Sequence, residues 1–250
     1  MQTTSHLTFS PDPPFTGLKY IAGVDISFIK NTNKACAMLA ILNIPDLSLA
    51  YKTYDIVDMT EPYITYFLAF REVGHLVKLF QRVKLENPEL YPQIVFVDGA
   101  GVWHPKGRPH VFPCRHRRLI IGLGLASHLG VLLGIPTIGV AKNLLYMSDI
   151  PSTTTYDSIR AHLTLQTPAY KVVGESGTVY GAAVIPRRAR DVERPIYVSV
   201  GHLVDLDTAV ELVHETSRFR IPEAIRAADG GSREVLRVLE ESQKRGMGIV

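Results

Sequence analysis

The sequence predicts an α/β fold in which helices flank a mixed sheet, and two observations support this prediction. The first three β-prone runs are separated only by turn residues, which favours an antiparallel meander. The fourth run, residues 93–98, is apolar on both faces and is typical of a buried, parallel strand. We therefore expect three antiparallel strands followed by parallel strands that helices connect. With 250 residues, the chain is predicted to be one domain, residues 1–250, with an extended N-terminal segment over about residues 1–17.

The composition excludes several classes of protein. Hydrophobic residues make up 46% of the chain and charged residues 20%, which is typical of a globular protein rather than a disordered one. Cys36 and Cys114 provide neither a disulfide framework nor a zinc-binding spacing. No apolar run is long enough to span a membrane, and residues 1–10 lack a signal core. We expect a cytoplasmic protein with a nuclear or nucleolar pool. The net charge of +3 includes any acidic site, so the rest of the surface is more basic and suits a polyanion.

The first β-prone run, residues 20–29, carries a single charge, Asp25, at its centre. Because side chains alternate along a strand, Asp25 shares a small, polar face with Gly23 and Ser27, while the opposite face is apolar. An unpaired carboxylate inside a sheet is costly unless a cation or hydrogen bonds compensate it. Asp25 is thus a candidate ligand, and the alternative is an aspartate that caps a turn at the end of the strand.

A second carboxylate also lies in an apolar setting. Residues 35–44 and 47–57 complete the predicted meander, and Thr60 is a candidate N-cap for a long helix that contains Pro62 in its first turn and ends near residue 86. Glu72 lies four residues from both Leu68 and Leu76, so it belongs to the buried stripe of that helix rather than to its polar face.

A third carboxylate, Asp98, ends the buried strand 93–98. Neighbouring parallel strands lie about 4.8 Å apart, so Asp98 and Asp25 are expected to be adjacent, with Glu72 over the same edge of the sheet. Carboxylates without cysteines or paired histidines suit a hard cation, Mg²⁺ or Mn²⁺, whose coordination is completed by substrate phosphates.

The remaining predicted elements are a helix at 119–133, strands at 136–140, 171–175, 177–185 and 195–200, and helices at 205–217 and 232–243.

Six short motifs occur in an order that closely resembles the endonuclease V family. They are GVDISF (23–28), PYI (62–64), FLAFRE (67–72), DGAG (98–101), GVAK (139–142) and SVGH (199–202), and the resemblance covers residues 18–232. It implies a ribonuclease H-like fold and Mg²⁺-dependent hydrolysis, with Mn²⁺ as a substitute. It also implies cleavage of a nucleic-acid strand at the second phosphodiester 3′ to inosine.

The resemblance also assigns roles to individual residues. Asp25, Glu72 and Asp98 match the catalytic metal ligands, and Asp229 matches a fourth metal-site position, although Asp229 also suits the end of a helix before Gly230. Lys142 is expected to contact the scissile phosphate; the alternative is a solvated charge. His104 is either an outer-sphere group on the attacking water or a solvated loop histidine.

A wedge that fills the stack left by an extruded base is expected at Tyr63, and the alternative for Tyr63 is a core aromatic residue. The predicted nucleic-acid contacts are Pro62, Tyr63, Ile64, Leu68, Gly99, Gly101 and Lys142. His75, His128 and His202 are predicted to be structural.

The chain departs from the family pattern at two places. Tyr66 stands where the family usually has glycine, which affects the lining of the base pocket. Residues 108–122 are an arginine-rich insertion, either a basic loop that follows a phosphate backbone or a spurious segment of the gene model.

Three functions follow from these residues and the resemblance. The first is an inosine-specific endoribonuclease that acts on single-stranded RNA as a monomer without an obligate protein partner. The second is a deoxyinosine-specific DNA repair endonuclease, and the third is a non-catalytic inosine or nucleic-acid binding protein. Clustered carboxylates argue against the third function, because a protein that only binds gains nothing from placing them beside a phosphate.

Overall fold

Eight strands form one mixed sheet in the part of the chain that the computed structural model describes, namely residues 6–61, 64, 68–104, 124–164, 166–189 and 194–244. The side chains of Leu68, Gln243 and Lys244 are not included. The strands are β1 (Tyr20–Phe28), β2 (Lys34–Asn43), β3 (Leu49–Asp58), β4 (Ile94–Asp98), β5 (Thr137–Ala141), β6 (Ala169–Val173), β7 (Val179–Val184) and β8 (Ile196–His202). Their order across the sheet is β3-β2-β1-β4-β5-β8-β7-β6.

The pairing confirms the predicted sheet. β1, β2 and β3 are an antiparallel meander, β4 runs parallel to β1, and β5 runs parallel to β4. β8, β7 and β6 extend the sheet with antiparallel pairs beyond β5. The carboxyl ends of β1, β4 and β5 therefore meet at one edge of the sheet.

Helices cover both faces of this sheet. They are α1 (Leu68–Glu86), α2 (Leu125–Leu133), α3 (Tyr156–His162), α4 (Leu206–Thr216) and α5 (Glu223–Lys244), with a short 3-10 helix at Pro88–Leu90. α1 and α2 pack on the face that contains Val24 of β1, and α5 packs on the opposite face. Among the helices of the described segments, none is both long and apolar enough to cross a membrane.

α5 approaches β1 so closely that the contact requires glycine. A Cβ atom at Gly23 would lie 2.0 Å from the carbonyl oxygen of Ala224, well inside van der Waals contact. Ala224, Ile225 and Ala228 of the same helix are buried against the sheet. Gly23 therefore sets the distance at which α5 covers the polar face of β1.

The prediction for α5 was wrong at its start. We expected a helix from residue 232, after the pair Gly230 and Gly231, but the helix begins at Glu223 and continues through both glycines. Glycine costs about 1 kcal/mol in a helix relative to alanine. At Gly231 tertiary packing overrides that cost. This residue is buried, and a Cβ atom added there would lie 3.0 Å from the side chain of Met38 in β2.

Two other boundaries differ from prediction. The helix expected from Thr60 is described from Leu68, and the described residues Glu61 and Ile64 are not helical. A proline at position 62 disfavours the helical conformation of Glu61, the residue before it. The helix predicted at 119–133 is described from Leu125, and residues 119–123 lie outside the described part.

The N-terminal segment is not extended over its described part. Residues 11–17 form bends and turns, and Phe9 and Phe15 are buried in the core with their rings edge to face. Gln93 ties this segment to the sheet, since its Nε2 donates to the Thr8 hydroxyl and the Gly17 carbonyl.

α3 was not predicted at all. It begins with a capping box in which Thr155 and Ser158 each bond the other's backbone amide, and that pair was the signal available in the sequence.

We expect Gly23→Ala to destabilise the fold by about 1–3 kcal/mol or more, because the new methyl group must displace α5 or β1. Gly74→Ala is the matched control, since a Cβ there meets no atom within 4 Å. In the middle of α1, that control should stabilise the protein by roughly 0.5–1 kcal/mol. Urea unfolding of both variants measures the difference. Equal stability of Gly23→Ala and the wild type would contradict the tight α5 contact.

Candidate metal and nucleic-acid site

Asp25 lies in the middle of β1 and is held by two hydroxyl groups. Its Oδ2 accepts hydrogen bonds from Ser27 Oγ at 3.0 Å and from Ser232 Oγ at 2.8 Å. The two serine oxygens are themselves 2.8 Å apart. Burial raises the pKa of Asp25, and the nearby charges of Asp229 and Asp98 raise this pKa further, while the two serine hydrogen bonds lower it. The carboxylate is thus oriented but not neutralised.

Asp98 is the last residue of β4 and directly follows the part of β4 that pairs with β1. β1 and β4 are in register up to Val24 and Val97, so Asp25 and Asp98 are the next residues on two neighbouring parallel strands. Asp98 Oδ2 accepts a bond from Lys142 Nζ at 2.6 Å. Lys142 comes immediately after β5, so three adjacent parallel strands each contribute one charged residue to the same edge.

Glu72 reaches this edge from α1, on the other face of the sheet. The pKa of its carboxyl group is raised to about 7, mainly by burial and also by the charges of Asp25 and Asp98, while the charge of Arg71 acts in the opposite direction. These repulsions show that the carboxylates of α1, β1 and β4 are close enough to interact. The guanidinium of Arg71 lies 5.3 Å from the centre of the Phe28 ring.

Asp229 approaches from α5. It raises the pKa of Asp25 through its charge, and it pairs with Arg233 at 2.7 Å one helical turn later. Asp229 does not end its helix, as its alternative interpretation supposed, because α5 continues to Lys244. The residue therefore faces the carboxylate cluster from within a helix.

The donor set fits a hard divalent cation, because these four side chains offer carboxylate oxygens and repel one another. The described residues do not, however, contain three His, Cys, Asp or Glu side chains that already form a complete metal-binding group. Asp98 is engaged by Lys142, and Asp25 by Ser27 and Ser232, so a shared ion requires rotation of these side chains.

Of the remaining predicted site residues, the structure describes some and not others. His104 is half-buried and follows Trp103, a buried residue whose ring nitrogen donates to the Leu145 carbonyl at 3.0 Å. Ile64 is 55% exposed. Pro62, Tyr63, Tyr66, the side chain of Leu68 and the insertion 108–122 lie outside the described residues.

The two glycines predicted to contact nucleic acid have amides that are already used. Gly99 N–H donates to the Val140 carbonyl, and Gly101 N–H donates to Ser199 Oγ at 2.9 Å. A Cβ at Gly101 would lie 2.0 Å from the Val200 carbonyl oxygen, so this glycine is required by packing under β8. Contacts of Gly99 and Gly101 to nucleic acid stay predictions.

The three histidines predicted to be structural lie in different parts of the fold. His128 packs edge to face on Phe70 with ring centres 5.0 Å apart, and burial lowers its pKa. His202 pairs with Thr137 at the start of β5, at the sheet edge opposite the carboxylates, and burial lowers its pKa as well. His75 is half-buried in α1.

Sequence reasoning missed one important residue, Ser232. Its hydroxyl group holds Asp25, but nothing in the sequence brings residue 232 near residue 25 until α5 is placed across β1. Ser27 was identified on the same face as Asp25, and the alternation of side chains along the strand was the signal for it.

A mixed sheet of this order, flanked by helices and carrying acidic residues at the carboxyl ends of its parallel strands, is the ribonuclease H-like fold of a class of nucleases. The sequence profile of the endonuclease V family matches residues 2–230. The chain belongs to the endonuclease V family, whose members are nucleases that hydrolyse phosphodiesters and are generally metal-dependent.

Individual relatives agree with this assignment. The endonuclease V of Mus musculus is 42% identical over 228 residues, which is 90% of this chain and 62% of the mouse protein. The chain thus spans less than two thirds of the mouse protein's length. The crystal structure of the catalytic domain of human endonuclease V matches with a TM-score of 0.80 and 39% identity, covering 95% of this chain and 88% of that domain.

A third relative was crystallised with nucleic acid. The endonuclease V of Ciona intestinalis, in complex with a 24mer DNA containing an inosine followed by a ribo-adenosine, matches with a TM-score of 0.77 and 32% identity. The match covers 89% of this chain and 88% of that one.

The raised pKa of Glu72 predicts how stability depends on pH in metal-free buffer. The folded-state pKa of about 7 lies above the ordinary value of 4.5, so the folded protein holds this proton more tightly than the unfolded chain does. This contribution is fully present below pH 4.5 and is lost as the pH rises through 7, by about 3 kcal/mol. The Glu72→Gln variant should lose less stability than the wild type between pH 5 and pH 8.

Urea unfolding at several pH values, with a chelator present, measures this difference. The matched control is Glu86→Gln at the exposed end of α1, which should follow the wild-type profile. Parallel profiles for Glu72→Gln and the wild type would show that Glu72 does not carry this burial cost.

Proposed function

We propose that this protein is a Mg²⁺-dependent endoribonuclease that cleaves single-stranded RNA at the second phosphodiester 3′ to inosine. The observation that carries the proposal is the cluster of mutually repelling carboxylates, Asp25, Glu72 and Asp98, beside the ammonium group of Lys142. Membership of the endonuclease V family supports the choice of reaction. The Ciona complex with inosine-containing DNA supports the choice of base.

Asp25, Glu72 and Asp98, with Asp229 beside them, would hold the metal. A bound Mg²⁺, which Mn²⁺ can replace, supplies activation of a water and stabilisation of the leaving oxygen. Ser27 and Ser232 fix the Asp25 carboxylate through Oδ2, which leaves Oδ1 without a hydroxyl partner among these bonds.

Lys142 would act on a phosphate of the substrate rather than as a ligand of the metal. Its ammonium group is 2.6 Å from Asp98 Oδ2 and its side chain is 42% exposed, so it can turn towards an incoming phosphate. Neutralisation of Asp98 by a cation would favour this turn, because it weakens the attraction between Lys142 and Asp98. His104, half-buried after Trp103, is proposed to contact the attacking water.

The alternative function, cleavage of DNA at deoxyinosine, uses the same carboxylates. RNA is favoured by the position of the ribonucleotide in the Ciona complex, where a ribo-adenosine follows the inosine. The second phosphodiester after an inosine lies on the 3′ side of that following nucleotide. A 2′-hydroxyl group there is next to the proposed cleavage position, and this group is what distinguishes RNA from DNA.

We expect Asp25→Asn and Asp98→Asn to lose at least about 100-fold in cleavage rate while the fold is retained. Asparagine keeps the shape and hydrogen-bond acceptor of aspartate but removes the charge that a divalent cation needs. Asp229→Asn should lose less, because its carboxylate is partly neutralised by Arg233. Single-turnover cleavage over a range of Mg²⁺ concentrations measures the effects.

Asp157→Asn, an exposed substitution in the first turn of α3, is the control and should cleave normally. Normal cleavage by Asp25→Asn at saturating Mg²⁺ would remove Asp25 from the metal site. Thermal unfolding confirms that each variant is folded.

The substrate prediction compares three strands of the same base sequence, each with one inosine. Single-stranded RNA should be cut faster than single-stranded DNA, and DNA with one ribonucleotide directly after the deoxyinosine should recover much of the difference. A single strand also avoids the few kcal/mol of unpairing that a duplex requires. Equal rates on the all-RNA and all-DNA strands would favour the DNA repair function instead.

A further inference from the structure

A pocket of about 310 Å³ lies directly beside the candidate site and has no role in the proposed function. It opens where β5 ends and β8 begins, and Lys142 forms part of its wall. Two more cations and three tyrosines line it, namely Arg194, Arg220, Tyr146, Tyr156 and Tyr197. Pockets of this size are at the lower end of those that hold small ligands.

The guanidinium of Arg220 is held in this wall by neutral groups. It donates to the carbonyl oxygens of Lys142 at 2.7 Å, Arg194 at 3.0 Å and Pro195 at 3.0 Å. Within the described ranges, no carboxylate is close enough to form a salt bridge with Arg220 or Arg194. Partial burial and the charge of Arg194 lower the pKa of Arg220. The positive charge of Arg220 is therefore fixed in the pocket wall, close to the charge of Arg194.

The tyrosines give the pocket an aromatic wall. Tyr146 is 63% exposed, while Tyr197 is buried and packs edge to face on Trp103 with ring centres 5.6 Å apart. A single exposed tyrosine is ordinary on a protein surface. An exposed tyrosine in the same pocket as two arginines, however, offers a flat surface for a base and charges for a phosphate, which is how single strands are bound without readout of their sequence.

We propose that this pocket binds one nucleotide of the substrate strand next to the scissile phosphate, with its base stacked on Tyr146 and its phosphate beside Arg194 and Arg220. The proposal rests on the proposed function, because it requires a strand that passes over Asp98. Lys142 links the two places, since its side chain contacts Asp98 while its carbonyl oxygen accepts from Arg220. The strand then crosses from the end of β4 to the end of β5 and the start of β8.

The test combines two changes that remove the same stacking contact. Single-stranded, inosine-containing RNAs carry one abasic nucleotide at successive positions on either side of the inosine. Their affinities for the full chain are measured in a chelator, so that no cleavage is needed. Wild-type protein should lose about 5- to 150-fold in affinity at one position near the cleavage point. The Tyr146→Ala variant should lose the same factor in affinity for the intact strand. It should lose no further affinity when the nucleotide at that position is abasic.

Matched controls exist elsewhere on the chain. Tyr54→Ala, on β3 and 45% exposed, should bind all strands like the wild type. Arg194→Gln should reduce the salt dependence of binding by roughly 0.7 in slope, the value for one phosphate on a single strand. Arg237→Gln, which removes an exposed arginine from α5, should leave the slope unchanged.

The proposal would be overturned if, at every abasic position, the loss in affinity caused by Tyr146→Ala and the loss caused by the missing base simply multiply. Tyr146 would then touch no base. Binding of adenosine monophosphate tests whether the pocket holds a free nucleotide rather than a nucleotide of the strand. If it binds in a Tyr146-dependent way while the strand losses stay independent, the pocket holds a free nucleotide, and the proposal is again overturned. Preference for inosine over adenosine should be unchanged in Tyr146→Ala, so failure of this proposal is distinct from failure of the proposed function.

Discussion

The placement of a carboxylate in the middle of the sheet constrains much of the surrounding structure. Asp25 is held in β1 by hydroxyl groups from its own strand and from α5, and neither hydroxyl group neutralises it. α5 can supply Ser232 only because Gly23 lets the helix backbone approach β1. Asp229, on the same helix, raises the pKa of Asp25 through its charge. The contact between the last helix and the first strand thus brings a hydroxyl group and a second carboxylate to Asp25.

Charge is arranged in order along the carboxyl edge of the sheet. Negative groups lie at β1 and β4, Lys142 follows β5, and the arginines lie at the start of β8 and beyond it. A phosphodiester chain along this edge would meet the cation site at one end and fixed positive charge at the other. Such an arrangement orients a polyanion as well as attracting it. Orientation matters for hydrolysis, because reacting groups must be positioned within a fraction of an ångström.

Arg220 connects these charges to the architecture. By donating to three carbonyl groups it joins the segment after β5 to the residues before β8. The same guanidinium therefore stabilises the pocket wall and supplies its charge. Trp103 performs a comparable structural role on the other side, since its indole bonds the Leu145 carbonyl and its ring supports Tyr197. The segment with His104 is positioned by this packing.

The sequence alone determined the meander of the first three strands, the parallel strands that follow it and the three carboxylates, because alternation in β1 and periodicity in α1 place Asp25 and Glu72 without reference to distant residues. Only the tertiary structure decided the contacts that depend on distant packing. α5 continues through Gly230 and Gly231, of which Gly231 is buried close to Met38, and this continuation places Ser232 beside Asp25. Gly101 is required by the close approach of β8. Such contacts join residues far apart in the chain, and local patterns carry no record of them.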